Sequence, residues 1–398
     1  MTKRPIAAAL LSTASLALAS CGTQVTGETP TQAQSTPGPA EEIVAVSGRE
    51  FATKSYGSFD EPWAAAFAPG TPVLFITEKP GTMKFVDTRT GRIGTVSGLP
   101  TVDYGGQGGL GDVAFLPSES AATPSRRTIY LTWAEAGSGA TRGAALGRGT
   151  LVCEETDACR IDGLNVIWRQ DPKVTGRGHF SHRIAIAPDG RTLFLASGDR
   201  QKMEPAQDPK VNLGKIVHLN LDGSPAAGNT LAASGARPEI YSMGHRNILG
   251  LQFDAQGRLW DLEHGPAGGD ELNLVRNGGN YGWPVVSDGD HYDGRPIPRH
   301  STTDRFVKPA ISWNPVIAPG DFTFYSGKLW PQWKGNAIIG GMKPTVLVRV
   351  AIDGTTAREV ARYGMERRIR EVVEGPDGAL WLLEDKDGGR LIEMRPAR

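Results

Sequence analysis

The feature that most constrains the fold of this chain is a short unit that recurs along it. A turn built on Gly or Pro is followed by a strand-length apolar run. The pairs are Pro69-Gly70 with Val73–Thr77, Pro117 with Ile129–Trp133, Asp189-Gly190 with Leu193–Ala196, Gln256-Gly257 with Leu259–Leu262, Lys334-Gly335 with Ala337–Ile339, and Asp377-Gly378 with Leu380–Leu383. Gly70 and Gly190 lie 120 residues apart, Gly190 and Gly257 67, and Gly257 and Gly378 121. These intervals fit a unit of roughly 60 residues, with one further turn inside each long gap. Apolar runs this short, bounded by turn formers, read as strands, and no long amphipathic helix interrupts them. Six units fill residues 46–398, which predicts an all-β chain folded as a six-bladed β-propeller with four strands per blade. A pair of β-sandwiches is the other all-β arrangement, but it gives no reason for six similar turns.

The first 45 residues stand outside that pattern. Lys3 and Arg4 precede an apolar run from Ile6 to Ala19, followed by Leu18-Ala19-Ser20-Cys21-Gly22. A basic start, a short apolar stretch and small residues before a cut describe a secretory signal, here residues 1–20. A small-residue site ending in Cys is similar to the bacterial lipobox, in which Cys21 becomes the lipidated first residue; a plain signal peptide with a chance Cys is the alternative. Residues 21–45 are rich in Thr, Gln, Pro, Ser and Glu and read as a flexible tether. The expectation is an exported protein held to a membrane only by its lipid.

Lys and Arg number 43 and Asp and Glu 43, for a net charge of zero. With no basic stripe, nucleic acid is not an expected partner. Apart from Cys21, the only cysteines are Cys153 and Cys159, flanking the polar turn Glu154 to Ala158. In an exported protein they read as a hairpin disulfide, and without nearby histidines they make a poor zinc site.

One stretch is dense in functional groups. Tyr241 to Pro284 contains a strand pair, Leu249–Phe253 and Leu259–Leu262, whose ends carry His245, Arg246, Asn247, Glu263, His264, Asp270 and Glu271. Polar groups packed around a core are costly unless they bind something. Gly265, Gly268 and Gly269 allow backbone to approach a ligand. Carbonyl and carboxylate oxygens together suit a hard cation, calcium rather than zinc.

A further set of short strings, in order over roughly 260 residues, carries a family resemblance. They are Gly106-Gln107-Gly108-Gly109-Leu110, Gly178-His179-Phe180-Ser181-His182-Arg183, Ser197-Gly198-Asp199, Gly244-His245-Arg246-Asn247, Glu263-His264-Gly265-Pro266, Asp270-Glu271, Gly278-Gly279-Asn280-Tyr281-Gly282-Trp283-Pro284, Met342-Lys343 and Arg368-Ile369-Arg370. The chain resembles the soluble quinoprotein sugar dehydrogenases, the PQQ-dependent glucose and aldose sugar dehydrogenase (glucose/sorbosone dehydrogenase) family, whose fold is also a six-bladed propeller. The resemblance implies oxidation of aldose sugars at C1 to lactones with PQQ and Ca2+ as cofactors.

The resemblance also assigns roles. PQQ carries three carboxylates, which Lys343, Arg368 and Arg370 would grip. Arg246 and Asn247 would sit beside the quinone oxygens, Arg246 helping to carry charge in catalysis, and Gln107 would contact substrate or cofactor. A calcium ion would take the backbone carbonyls of Gly265 and Pro266, acting as a Lewis acid. Glu271 and the carbonyl of Tyr281 resemble part of a second, structural calcium site; capping of turns, or pairing with Arg276, is the alternative for Asp270 and Glu271. His179 matches the general base and Asp199 the carboxylate that orients it. His182 falls where the family has a small residue and reads as a neighbour of the site.

Three positions depart from the pattern. Gly178 stands where the glucose enzymes carry an acid, Val316 where a hydroxyl residue is usual, and Trp313 aligns only loosely with the aromatic wall of the glucose site. These place the chain nearer the broad-specificity aldose branch. No Cys-x-x-Cys-His haem motif is present, so electrons would leave to a separate acceptor. A calcium-dependent propeller lactonase and a non-enzymatic sugar-binding propeller are the two rival readings.

Overall fold

The structure is a computed structural model that describes residues 44–45 and 51–397; the signal at 1–20, Cys21 and most of the expected tether lie outside the described residues. Four-stranded antiparallel blades follow one another along the chain. Blade I is Pro62–Phe67, Val73–Glu78, Thr82–Asp87 and Arg92–Ser97; blade II is Leu110–Phe115, Arg127–Ala136, Thr141–Val152 and Ala158–Arg169. Blade III is Ser181–Ile186, Thr192–Ser197, Lys215–Asn220 and Ile240–Met243; blade IV is Ile248–Phe253, Leu259–Glu263, Asp270–Leu274 and Ile311–Trp313. Blade V is Pro319–Phe324, Ala337–Met342, Thr345–Asp353 and Thr356–Gly364. Blade VI takes Ile369–Glu374, Leu380–Glu384 and Gly389–Pro396 from the C-terminus and its outer strand, Phe51–Phe59, from the N-terminal side. That exchange closes the six-bladed propeller.

Each recurring turn and apolar run proves to be the hairpin into the second strand of a blade. The glycines of five of these turns, Gly70, Gly190, Gly257, Gly335 and Gly378, have φ of 81°, 68°, 74°, 74° and 89°. That left-handed backbone is why glycine recurs there. The second strands are mostly apolar because they are covered on both faces: Val73–Glu78 and Ala337–Met342 are buried at every position. The hydrophobic clusters repeat this geometry, one lying between each consecutive pair of blades, I–II, II–III, III–IV, IV–V, V–VI and VI–I. A closed ring has no free sheet face, so burial is shared evenly round it.

Two departures from the simple repeat appear. The outer strand of blade II runs parallel to that of blade I, Ala158–Arg160 beside Thr95–Ser97, fusing the two blades at their edges. The Cys153–Cys159 disulfide forms as expected and clips the adjoining hairpin, with Cys159 in the core between blades I and II. Val44 and Ala45, expected at the end of the tether, instead pair with Tyr363 and Gly364 of blade V. An exposed outer strand offers unpaired backbone groups, and two residues of the approaching chain satisfy some of them. Among the described residues the only helices are short 3-10 turns, and none is long and apolar enough to cross a membrane.

Candidate functional site

The start of each first strand and the end of each second strand emerge at the same end of the propeller, because the two are antiparallel. Every residue singled out from the sequence for cofactor, metal or base sits at or near such a terminus, apart from Glu271 and Tyr281. Gln107, His179, Arg246 with Asn247, and Arg368 with Arg370 lie at the entries to the first strands of blades II, III, IV and VI. Asp199, Gly265 with Pro266, and Lys343 follow the second strands of blades III, IV and V. Residues scattered over some 260 positions are therefore gathered by topology alone.

His179 is buried, and its Nδ1 lies 2.7 Å from Asp199 Oδ1. The other oxygen of Asp199 accepts a 2.8 Å hydrogen bond from the Trp283 indole, and the Gln201 amide donates to Oδ1 at 2.8 Å. The backbone joins in: the His179 amide donates to the Gln107 side-chain carbonyl at 2.7 Å, and the Asp199 amide to the Arg246 carbonyl at 2.9 Å. With Nδ1 held, Nε2 is the nitrogen left for chemistry. Burial pulls the His179 pKa below its ordinary value; Asp199 pushes back and the Arg246 charge adds to the depression. The ring is thus neutral, and able to accept a proton, at neutral pH. Burial pushes Asp199 upward, but the hydrogen bond with His179 and the Arg246 charge help to overcome this and leave its pKa low. His179, Ser181 and His182 have φ of 49°, 65° and 76°, a left-handed run that non-glycine residues seldom adopt. Strain of this kind concentrates where side chains must be aimed.

Beside this pair lies a cleft of about 640 Å³ including its mouth, lined among others by Gln107, Asn247, His264, Arg368 and Arg370. A smaller hollow of about 250 Å³ is lined by Arg246, His264, Gly265, Pro266, Glu271 and Tyr281. The Arg246 guanidinium lies 5.2 Å from the Trp283 ring and 5.9 Å from that of Tyr292, and donates to the His264 carbonyl and the Tyr292 hydroxyl. Its Nε and the Asn247 side-chain oxygen are buried without partners among the described residues. Orphaned polar atoms of this kind are costly and are completed by a ligand or by ordered water. The Arg246 amide is fixed by Glu263 Oε2 at 2.6 Å; Glu263 Oε1 in turn lies 3.1 Å from His245 Nδ1, and Ser242 Oγ holds the other ring nitrogen at 2.8 Å.

Arg368 and Arg370 converge on one carboxylate, Asp385, with Nε distances of 2.7 and 2.9 Å. Burial pushes Asp385 up, but the two guanidinium groups hold its pKa low. One carboxylate cannot neutralise two arginines, so the wall keeps a net positive charge suited to an anionic ligand. Lys343 is exposed and carries no ion pair among the described residues, which leaves its ammonium free. It lines neither cavity, although its neighbour Met342 lines the larger one.

The carbonyls of Gly265 and Pro266 accept no hydrogen bond among the described residues, and both residues line the smaller hollow. Asp270 holds this loop in place: one carboxylate oxygen accepts the Gly265 amide at 2.9 Å, the other those of Ile317 and Ala318 at 2.9 and 2.7 Å. Asp270 therefore caps loops, the alternative role that its place in the sequence allowed. Glu271 does not pair with Arg276. His300 stands between Glu271 and the Tyr281 carbonyl, donating from Nε2 to that carbonyl at 3.0 Å, with Nδ1 3.6 Å from Glu271 and 3.5 Å from Asp288. Burial pulls the His300 pKa down, but Asp288 and Glu271 overcome it and raise it to about 9. An imidazolium thus supplies positive charge between these groups. Trp313 belongs to the core between blades IV and V, its indole bonded to Glu359 at 2.7 Å, so it is not a wall of the site. Sequence reasoning missed Asp385, and it missed Trp283 and Tyr292 as partners of Asp199 and Arg246. Only Trp283 left a signal, in the Gly282-Trp283-Pro284 string.

The profile of the glucose/sorbosone dehydrogenase family matches residues 59–393. The chain belongs to this family. It is 34% identical over 343 residues to the aldose sugar dehydrogenase YliI of Escherichia coli, covering 85% of this chain and 90% of that one. It is 26% identical over 411 residues to quinoprotein glucose dehydrogenase B of Acinetobacter calcoaceticus, covering 83% and 84%. The crystal structure of the soluble aldose sugar dehydrogenase of Escherichia coli in its apo-form superposes with a TM-score of 0.79 at 32% identity, over 87% of this chain and all of that one. The PQQ-bound aldose sugar dehydrogenase of Streptomyces coelicolor superposes with a TM-score of 0.69 at 25% identity, over 88% and 99%. As a member of the glucose/sorbosone dehydrogenases, the chain sets His179, Asp199, Arg246 and Asn247 beside a positively charged cleft.

Proposed function

We propose that this chain is a PQQ-dependent aldose sugar dehydrogenase that oxidises sugars at C1 to the lactone, with calcium beside the cofactor. The observation that carries the reading is a neutral, carboxylate-oriented histidine next to a cationic cleft whose buried polar atoms lack partners among the described residues. PQQ, when bound, supplies the acceptor for hydride and calcium the Lewis acid beside it. Lys343, Arg368 and Arg370 would hold the cofactor's carboxylates, and Arg246 and Asn247 its quinone side. The Gly265 and Pro266 carbonyls, free of hydrogen bonds among the described residues, suit a hard cation. His179 Nε2 takes the proton of the C1 hydroxyl as hydride leaves, and Asp199 holds Nδ1–H and stabilises the imidazolium that results.

Specificity follows from the same residues. A Cβ at Gly178 would meet the Gln201 amide at 2.4 Å, so a neutral amide occupies the space beside this position. Sugar hydroxyls then meet no charged partner there, which favours breadth over selection for glucose. The N-terminal sequence supports export and a lipid anchor at Cys21, with a separate electron acceptor.

The test is dye-linked oxidation of a panel of aldoses by the full chain, with and without added PQQ and calcium. Activity that needs both supports the reading and ranks the sugars. No activity, with no PQQ absorbance retained after desalting, sinks it in favour of a hydrolase or a binding propeller.

A further inference from the structure

The buried histidines of this propeller differ in what their ring nitrogens do. His245 has both engaged, by Ser242 and Glu263. Half-buried His218 also has both engaged, by Asn229 and Thr192 at 3.0 Å each. His179 has one engaged and one free for chemistry. His182 is 1% exposed, and neither of its ring nitrogens has a partner among the described residues.

The rest of His182 is tightly placed. Its ring stacks on Phe180 at 5.4 Å and 7°, and meets Trp63 edge-on at 5.6 Å and 90°. Its carbonyl accepts a 2.9 Å hydrogen bond from Thr132 Oγ1. A Cβ on Gly111 would lie 2.7 Å from His182 Cγ, so the neighbouring blade leaves out a side chain to admit the ring. The backbone is held at a φ of 76°. A purely space-filling residue would need neither the strained backbone nor polar atoms without partners. His182 is also one of the residues lining the larger cleft, together with Gln107, Asn247, Arg368 and Arg370.

We propose that His182 is a cofactor-binding residue, hydrogen-bonding the planar polycarboxylate quinone that occupies this cleft. The inference rests on the function proposed above and adds a contact at a position where the family pattern has a small residue. The chemistry of the ring suits this role. Burial first, then the Arg200 and Arg183 charges, lower its pKa to about 3, so it offers one donor and one acceptor rather than a cation.

The experiment is PQQ titration of the cofactor-free full chain, followed by fluorescence quenching, together with 15N resonances of the histidine rings assigned with His182→Phe. On saturation, the His182 ring nitrogens are expected to shift as they gain a partner. His182→Phe, which keeps the aromatic stack, should bind PQQ about tenfold more weakly. His182→Asn, which keeps a donor and an acceptor, should lose threefold or less. If the native chain binds PQQ while the His182 signals stay where they were, the inference is overturned whatever the variants do, and buried water is the partner of the ring. If the native chain binds no PQQ at all, the cofactor reading itself falls and takes this inference with it. Should His182→Phe fail to fold, His182→Asn supplies the assignment and the native 15N shift decides.

Discussion

The middle of the propeller holds two buried polar regions, one around Arg183 and one around His179, only four residues apart on the chain. Around Arg183 most of the groups answer one another, and only one oxygen of Asp321 is left without a partner among the described residues. Its guanidinium lies 2.7 Å from Glu371, 3.5 Å from Asp112 and 3.7 Å from Asp321, its Nε donates to the Leu249 carbonyl at 2.6 Å, and the Trp63 ring covers it at 4.3 Å. Asp112 accepts the amides of Val113 and Ile184 as well. These partners come from the five other blades, I, II, IV, V and VI, so one side chain ties the first strands of the ring together. Around His179 the pattern reverses: His182, Arg246 and Asn247 keep polar atoms that nothing in the described chain satisfies. Equal burial therefore does not mean equal purpose. A polar cluster that largely closes on itself holds the fold, and one left open can be completed by a ligand or by ordered water.

The first way to break this comparison is at the open region. His179→Ala should cost roughly 10⁴-fold in sugar oxidation, about 5.5 kcal/mol of barrier, while leaving the denaturant midpoint nearly unchanged. A large fall in stability would show that the ring is structural after all.

Arg183→Met tests the closed region in the opposite sense. Three buried carboxylates would lose their cation, and unfolding free energy should drop by about 3–5 kcal/mol in urea titration. An unchanged midpoint would erase the contrast between the two regions.

Asp199→Asn sharpens the role of the base. Activity should fall by roughly 10²-fold as the tautomer and orientation are lost. The pH profile carries the sign: Asp199 raises the His179 pKa against burial, so its removal lowers that pKa further. The base is active when unprotonated, so the acid limb of kcat/KM, already below the ordinary histidine value, should move to still lower pH. A limb that moves up would mean that Asp199 is not what holds the proton on Nδ1.

The smallest effect belongs to the residue behind Asp199. Trp283→Phe removes one 2.8 Å hydrogen bond, and about 1 kcal/mol, or roughly fivefold in kcat, is expected with KM for the sugar little changed. A loss as large as that of Asp199→Asn would place the indole directly against substrate or cofactor.

Much of this molecule was legible in one dimension. The six turns with their apolar runs gave the blades, because a strand covered on both faces must be largely apolar and is entered here by a tight turn. The strings around His179, Asp199, Arg246 and Gly265 marked residues that the fold gathers at one end of the ring, because they fall at strand termini that emerge there. What the residues could not say was which neighbours face each other across the ring. Asp385 shares its charge between two arginines. Trp313 turns into the core rather than to the sugar, and His300 bridges Glu271 and the Tyr281 carbonyl. The parallel seam between blades I and II and the pairing of Val44–Ala45 with blade V were equally invisible. The reason is physical. Periodicity and turn chemistry are local and are written in consecutive residues, so the sequence by itself determined blade number. Which buried polar atoms find partners depends on contacts between distant segments, and only the tertiary structure decided that His245 is satisfied and His182 is not.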